Sequence, residues 1–102
     1  MITKLTWYGH ATLGLETGGY KILVDPFFTG NPAAGVAADK VTADYILITH
    51  GHGDHVGDAI PLARRTKATV ISNHEIATWA DRVQKETGSQ VMVLKPGESC
   101  TI

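Results

Sequence analysis

The sequence predicts an α/β fold in which a mixed β-sheet carries helices on one face. Three observations predict it. The first strand-like segments are joined by short turns, later strand-like segments alternate with amphipathic helical segments, and several strands are apolar at consecutive positions. The chain of 102 residues is long enough for one domain with its own core. We therefore expect a single domain over residues 1–102.

The first half of the chain predicts a meander of three antiparallel strands. Residues 2–8 and 11–17 read as half-buried strands, and Gly18-Gly19 forms a two-residue turn into a third strand at residues 20–24. Asp25-Pro26 ends that strand. The following residues 27–40 are rich in glycine, proline, asparagine and alanine, and this composition predicts a loop.

The second half predicts strands that alternate with helices. Residues 45–49 form a continuously apolar segment, which is typical of a strand buried on both faces. Asp58 is a predicted N-cap for a short helix that runs through Arg65. Residues 68–71 predict another buried strand.

A longer helix is predicted after that strand. Ser72-Asn73-His74-Glu75 fits a capping box that opens a helix to about Thr87, and Gly88 is a suitable stop. Residues 91–94 predict the last strand. The apolar stripe expected along the helix consists of Ile76, Trp79, Ala80 and Val83.

Two helices can cover one face of this sheet, but hardly both. Residues 22–24, 46–48 and 91–94 are nevertheless apolar throughout, so both faces carry apolar side chains. An uncovered face would exceed the apolar patches of roughly 300–600 Å² that monomers expose. We therefore predict that a second sheet covers this face, contributed by another copy in a homo-oligomer or by a complementary half.

Composition excludes several classes of function. A net charge of −1 and a pI of about 6.5 give no field that attracts nucleic acid or an anionic membrane. Cys100 is the only cysteine, so no intrachain disulfide can form. No segment approaches the ~20 apolar residues of a membrane span. A cytoplasmic protein that acts on a small molecule is the expectation.

The stretch His50-Gly51-His52-Gly53-Asp54-His55 is the most informative part of the chain. Three of the five histidines and an aspartate fall within six residues, directly after a buried strand. Imidazole and carboxylate are common ligands of divalent metals, and the glycines permit unusual backbone angles. The density of these groups predicts a metal site. The alternative is a polar turn in which Asp54 caps the next helix.

The spacing within this stretch suggests two subsites. His50 and His52 project to the same side of an extended segment, whereas Asp54 and His55 need a reversal of the chain. One interpretation places the first pair on one metal and the second pair on another. A hydroxide between two such metals is a strong nucleophile at neutral pH.

Residues 49–58 resemble the first metal motif of the metallo-β-lactamase superfamily. Residues 7–11, 22–27 and 44–50 resemble the small bacterial metal-dependent hydrolases related to ascorbate-6-phosphate lactonase and N-acyl-phosphatidylethanolamine phospholipase D. The resemblance implies an αββα sandwich and a hydrolase in which metal-bound hydroxide attacks an ester, lactone, amide or phosphodiester. It extends along nearly all of the chain.

The resemblance also implies roles for single residues. His50 and His52 would hold the first metal, and Asp54 and His55 the second, with Asp54 also orienting the attacking water. Asp25 matches an aspartate that supports the metal ligands without touching the metal, and His10 matches a histidine near the substrate. A strand-ending turn residue and a turn histidine are the respective alternatives. Zinc is favoured by these ligand types, and manganese or iron accept the same donors.

The chain departs from the family by lacking the ligands that the later half of its members supplies. Past His55 the only histidine is His74, on a different predicted element. The expectation is thus the amino-terminal half of the fold. Three hypotheses follow: a hydrolase completed by its missing half, a self-associating half-fold with a composite metal site, and a metal-binding module without catalysis.

Overall fold

The computed structural model describes residues 3–9, 11–49, 58–73 and 77–101, with only the backbone described for Asn73 and residues 77–81. Within these ranges the chain forms a six-stranded mixed sheet whose spatial order, β1-β2-β3-β4-β5-β6, repeats the order along the chain. The strands are Lys4–Trp7 (β1), Leu13–Thr17 (β2), Tyr20–Val24 (β3), Tyr45–Ile48 (β4), Thr69–Asn73 (β5) and Val91–Leu94 (β6).

The predicted meander is confirmed, because β1, β2 and β3 pair antiparallel in sequence order. The turn at Gly18 and Gly19 has positive φ at both residues, as a hairpin turn that follows the strand twist requires. Strands β3, β4, β5 and β6 then run parallel to one another. The sheet is therefore mixed, as predicted; in its parallel half an α-helix connects β4 to β5 and another connects β5 to β6, whereas the loop after β3 connects β3 to β4.

Helix α1 spans Ala59–Thr66 and helix α2 spans Ala77–Thr87. Pro61 lies in the first turn of α1, where its missing N–H costs no helical hydrogen bond. Lys67 ends this helix in the left-handed conformation and donates its backbone N–H to Ala63 O at 2.8 Å. Gly88 follows α2 with a φ of 70°, which agrees with its predicted role as the stop. A short 3-10 helix at Ala38–Lys40 lies within the predicted loop.

Both helices pack on one face of the sheet, called here the helix face. Leu23, Ile46 and Val70 pair across three neighbouring strands and point into this core. Val83 from α2 is fully buried, which confirms its place in the predicted stripe. The side chains of the other stripe residues lie outside the described part. The core also contains Phe28, Val41, Ala43, Ile48, Ala59, Leu62, Ala63 and Ala68.

The opposite face of the sheet, called here the open face, is apolar but does not belong to that core. Strand register places on this face Leu5, Trp7, Leu13, Leu15, Thr17, Tyr20, Ile22, Val24, Tyr45, Leu47, Thr69, Ile71, Met92 and Leu94. None of these residues is charged. Leu5 and Trp7 are 63% and 66% exposed, and Tyr20, which stacks edge-on against Tyr45, is 45% exposed. The prediction of apolar side chains on both faces is confirmed.

The predicted capping box is wrong at its first residues. Ser72 and Asn73 belong to β5, where Ser72 pairs with Ile48 and Val93, and Asn73 pairs with Leu94. Pairing with strands on both sides extends β5 beyond the predicted end at residue 71. His74, Glu75 and Ile76 lie outside the described residues. No helix of the described part is long and apolar enough to cross a membrane.

Candidate functional site at the carboxyl ends of β3 and β4

The described residues flank the predicted metal loop on both sides. His10, His50, His52, Asp54 and His55 lie outside the described residues, whereas Asp25, Thr49 and Asp58 lie within them. Within the described ranges no three histidine, cysteine or acidic side chains come together as a metal site would require. What the structure defines is therefore the surroundings of Thr49 and Asp58, the residues on either side of the predicted metal loop.

Asp25 is a buried turn residue at the carboxyl end of β3. Its φ of 47° lies in the left-handed region, which is unusual for a residue with a Cβ. The backbone on both sides is fixed, because Asp25 N donates to Leu47 O at 2.8 Å and Asp25 O accepts from Thr12 Oγ1 at 2.7 Å. The side chain is only 1% exposed.

The Asp25 carboxylate holds the residue that precedes His50. Its Oδ1 accepts the Thr49 backbone N–H at 2.7 Å, and its Oδ2 accepts the Thr49 hydroxyl at 2.5 Å. Hydrogen bonds to an ionised acceptor are stronger than neutral ones, and two of them fix orientation as well as distance. Such a contact suits the predicted supporting role of Asp25, which stays a prediction with respect to the metal.

Asp58 follows the loop in the sequence, and its side chain does not cap the helix that begins after it. It occupies the N-cap position of α1, but its side chain makes no capping hydrogen bond. Instead its Oδ2 accepts the backbone N–H groups of Phe28 and Thr29 at 2.5 and 2.9 Å, and its Oδ1 accepts the Thr29 hydroxyl at 2.8 Å. The capping prediction is wrong for the side chain, because the loop that follows β3 offers three donors at once.

The loop after β3 is itself tied to the end of β1. Asn31 donates its amide N–H groups to Tyr8 O at 2.9 Å and Phe27 O at 2.8 Å. Gly9 packs against this loop with a φ of 98°, and a Cβ there would lie 2.7 Å from Ala33 Cβ. Only glycine fits, so the residue before His10 is fixed by close packing.

Sequence analysis missed the supporting roles of Thr12, Thr29, Asn31 and Thr49. Each acts through a hydrogen bond to a residue distant in the chain, for which spacing gives no signal. Among these four residues only Thr49 had a signal in the sequence, because it directly precedes the metal motif. A cavity of about 410 Å³ between strands β1–β3 and residues 34–42 is lined by Glu16, Lys21 and Lys40 among others, but not by Asp25, Thr49 or Asp58. It is therefore separate from this support.

Comparison with known proteins identifies the family. The model of the metallo-beta-lactamase superfamily matches residues 6–97. The chain belongs to this superfamily, as the resemblance implied.

The chain is similar to curated metal-dependent hydrolases. It is 55% identical over 78 residues to the UPF0173 metal-dependent hydrolase of Heliobacterium modesticaldum, covering 76% of this chain and 33% of that protein. It is 54% identical over 84 residues to the UPF0173 metal-dependent hydrolase of Archaeoglobus fulgidus, covering 82% of this chain and 36% of that protein. The matched part spans about a third of the length of these relatives.

Solved structures share the fold. Igni18, a metallo hydrolase from Ignicoccus hospitalis, superposes with a TM-score of 0.81 at 35% identity over 98% of this chain and 42% of its own. CmlA, a diiron beta-hydroxylase from Streptomyces venezuelae, superposes with a TM-score of 0.75 at 21% identity over 97% of this chain and 22% of its own. The second likeness concerns the fold alone.

Proposed function

We propose that this chain is the amino-terminal half of a metal-dependent hydrolase and carries its first metal loop. One observation supports the proposal above all: the His-x-His-x-Asp-His stretch lies between Thr49 and Asp58, and both of these residues are held by buried carboxylate contacts. In open sheets with parallel strands, sites form at the carboxyl ends of the strands, where β3 and β4 end here.

The donor set of this loop fits divalent metal ions. His50 and His52 would hold one ion, and Asp54 and His55 a second, with zinc favoured and manganese or iron as alternatives. When bound, such ions polarise the bond to be hydrolysed and activate water at neutral pH. The reaction class that follows is hydrolysis of an ester, lactone, amide or phosphodiester.

The remaining residues act by holding and orienting. Asp25 fixes Thr49 and so the start of the loop, Asp54 orients the attacking water, and His10 contacts the substrate. The Gly9 packing against the loop after β3 suits that role of His10, because it fixes the backbone directly before it. Supporting residues around metal ligands raise metal affinity by restricting the ligands to productive orientations.

Replacement of two predicted ligands tests this proposal. We expect the double variant His52→Ala/His55→Ala to lose bound Zn²⁺ while its far-UV circular dichroism stays close to that of the parent chain. The matched control is His74→Ala, which removes a histidine outside the predicted ligand set and should leave metal content unchanged. Elemental analysis after dialysis measures the metal. Undiminished zinc in the double variant would rule out the assignment of ligands.

The alternative function is a metal-binding, self-associating half-fold without catalysis. The open face favours this possibility, because it is apolar, uncharged and carries exposed Leu5, Trp7 and Tyr20. Sheets pack face to face about 10 Å apart, so a second copy offers a complementary surface. We expect the isolated chain to form a dimer, which its native mass would reveal. A dimer that binds metal but does not hydrolyse esters, lactones or phosphodiesters would favour the alternative.

A further inference from the structure

Both ends of the predicted metal loop are attached to the same short segment, residues 25–29. At the entry, Asp25 accepts two hydrogen bonds from Thr49. At the exit, Asp58 accepts three from Phe28 and Thr29, and its backbone N–H donates to Pro26 O at 3.1 Å. Thr49 and Asp58, which flank residues 50–57 in the sequence, are thus both held by this one segment, called here the 25–29 clamp.

The contacts at the entry and at the exit of the loop are both hydrogen bonds to a carboxylate, but the carboxylate lies on opposite partners. At the entry the carboxylate belongs to the clamp, and the donors belong to the residue before the loop. At the exit the carboxylate belongs to the residue after the loop, and the donors belong to the clamp. Both carboxylates are buried, with Asp25 1% and Asp58 4% exposed. Removing the donors or acceptors of such a buried group leaves polar atoms without partners, so the contacts resist opening.

We propose that Asp58, acting through Thr29 and Phe28, is a positioning residue for the metal loop. It fixes the loop's exit relative to the Asp25-held entry, so that the four ligands between them share one geometry. This inference rests on the proposed function for its metal, but its geometry stands on described residues alone. Asp58 is not proposed as a metal ligand.

The choice of substitution separates positioning from helix capping. Serine ranks with aspartate as an N-cap, but it is too short to reach Phe28 and Thr29. Asp58→Ser therefore removes the side-chain contacts at the exit of the loop and keeps the capping ability. Asparagine keeps the shape: its amide oxygen accepts both backbone N–H groups, and its amino group donates to Thr29 Oγ1. Asp58→Asn should therefore rescue what Asp58→Ser loses.

The experiment titrates Zn²⁺ against a chromogenic chelator and measures amide hydrogen exchange of the metal-free protein by NMR. We expect Asp58→Ser to bind zinc about 10- to 100-fold more weakly, and Asp58→Asn to stay within a few-fold of the parent. The Phe28 and Thr29 amides should exchange about tenfold faster in Asp58→Ser, because they lose a charged acceptor.

Asp44→Ser is the matched control. Asp44 Oδ2 accepts the Lys21 backbone N–H at 2.8 Å, a similar carboxylate contact at the opposite end of β3 and β4. Zinc affinity should not change in this variant. Thr29→Val removes one clamp hydrogen bond and serves as the milder variant if Asp58→Ser does not fold; it should weaken zinc binding several-fold.

The outcomes are distinguishable. Unchanged zinc affinity in Asp58→Ser, or equal losses in Asp58→Ser and Asp58→Asn, overturns the positioning role. If the parent chain binds no zinc, the proposed function fails, and the exchange rates then decide on the clamp alone. Faster exchange at Phe28 and Thr29 in Asp58→Ser but not in Asp58→Asn supports it, and unchanged exchange overturns it.

Discussion

The two faces of the sheet are similar in composition but opposite in environment. On the helix face, Ile46 and Val70 are fully buried beneath α1 and α2. On the open face, Leu5 and Trp7 are mostly exposed, although the residues around them are just as apolar. Apolar composition therefore indicates which surfaces are unfavourable to expose to water, whereas burial shows which surfaces this chain covers by itself.

The largest expected effect is a loss of folding stability, and it differs between two neighbouring residues of β4 whose side chains point to opposite faces. Ile46→Ala should lower the free energy of unfolding by about 2–5 kcal/mol, because it leaves a cavity in the core. Leu47→Ala should cost about half as much or less in the monomer, since Leu47 is only partly buried. Urea unfolding at low protein concentration measures both values. Equal losses would mean that the open face is already covered in the monomer.

A smaller effect is expected from charge placed on the open face. Leu5→Glu/Trp7→Glu should weaken self-association at least about 30-fold, or ~2 kcal/mol, because a second sheet would bury both carboxylates. The control is Val93→Glu, since Val93 is 40% exposed and lies in register with Ser72 on the helix face. Sedimentation over a dilution series gives the dissociation constants. Equal dissociation constants for the two variants would contradict the expectation that self-association uses the open face.

The smallest effect concerns two buried hydroxyls on the helix side. Ser72 Oγ has no hydrogen-bond partner among the described residues, whereas Thr87 Oγ1 donates to Val83 O at 2.6 Å and accepts from Ser89 N at 3.0 Å. Ser72→Ala should therefore be neutral or stabilise by up to about 1 kcal/mol, while Thr87→Val should cost about 1 kcal/mol. Thermal unfolding measures both. A destabilising Ser72→Ala would reveal a partner beyond the described residues.

Local signals predicted the elements whose formation is local. The Gly18-Gly19 turn located β3 at Tyr20–Val24, and the predicted end of α1 at Arg65 falls one residue short of Thr66. Ser72 and Asp58 both carry good N-cap side chains. Ser72 lies in a strand instead, and Asp58 occupies the predicted N-cap position of α1 without a side-chain capping bond. Strand pairing with Ile48 and Val93 includes Ser72 in β5, and the Phe28 and Thr29 donors engage the Asp58 carboxylate.

The candidate site shows the same division. The metal motif was recognisable because its predicted ligands are close in sequence, and those residues lie outside the described part of the chain. Its support was not recognisable, because Thr12 contacts Asp25, and Asp58 contacts Thr29, across 13 and 29 positions. Contacts of this separation depend on how β3 and β4 align in the sheet, which no local spacing encodes.

The strand order of the sheet, which repeats the order along the chain, has a consequence for biosynthesis. Among the six described strands, each one after β1 pairs with the strand that precedes it in the chain, so none of these six needs a later one of them to be inserted beside it. Translation delivers about 5–20 residues per second, which is slow compared with the microseconds in which hairpins form. These six strands can therefore assemble vectorially during translation, each one adding to the edge formed by the strand before it.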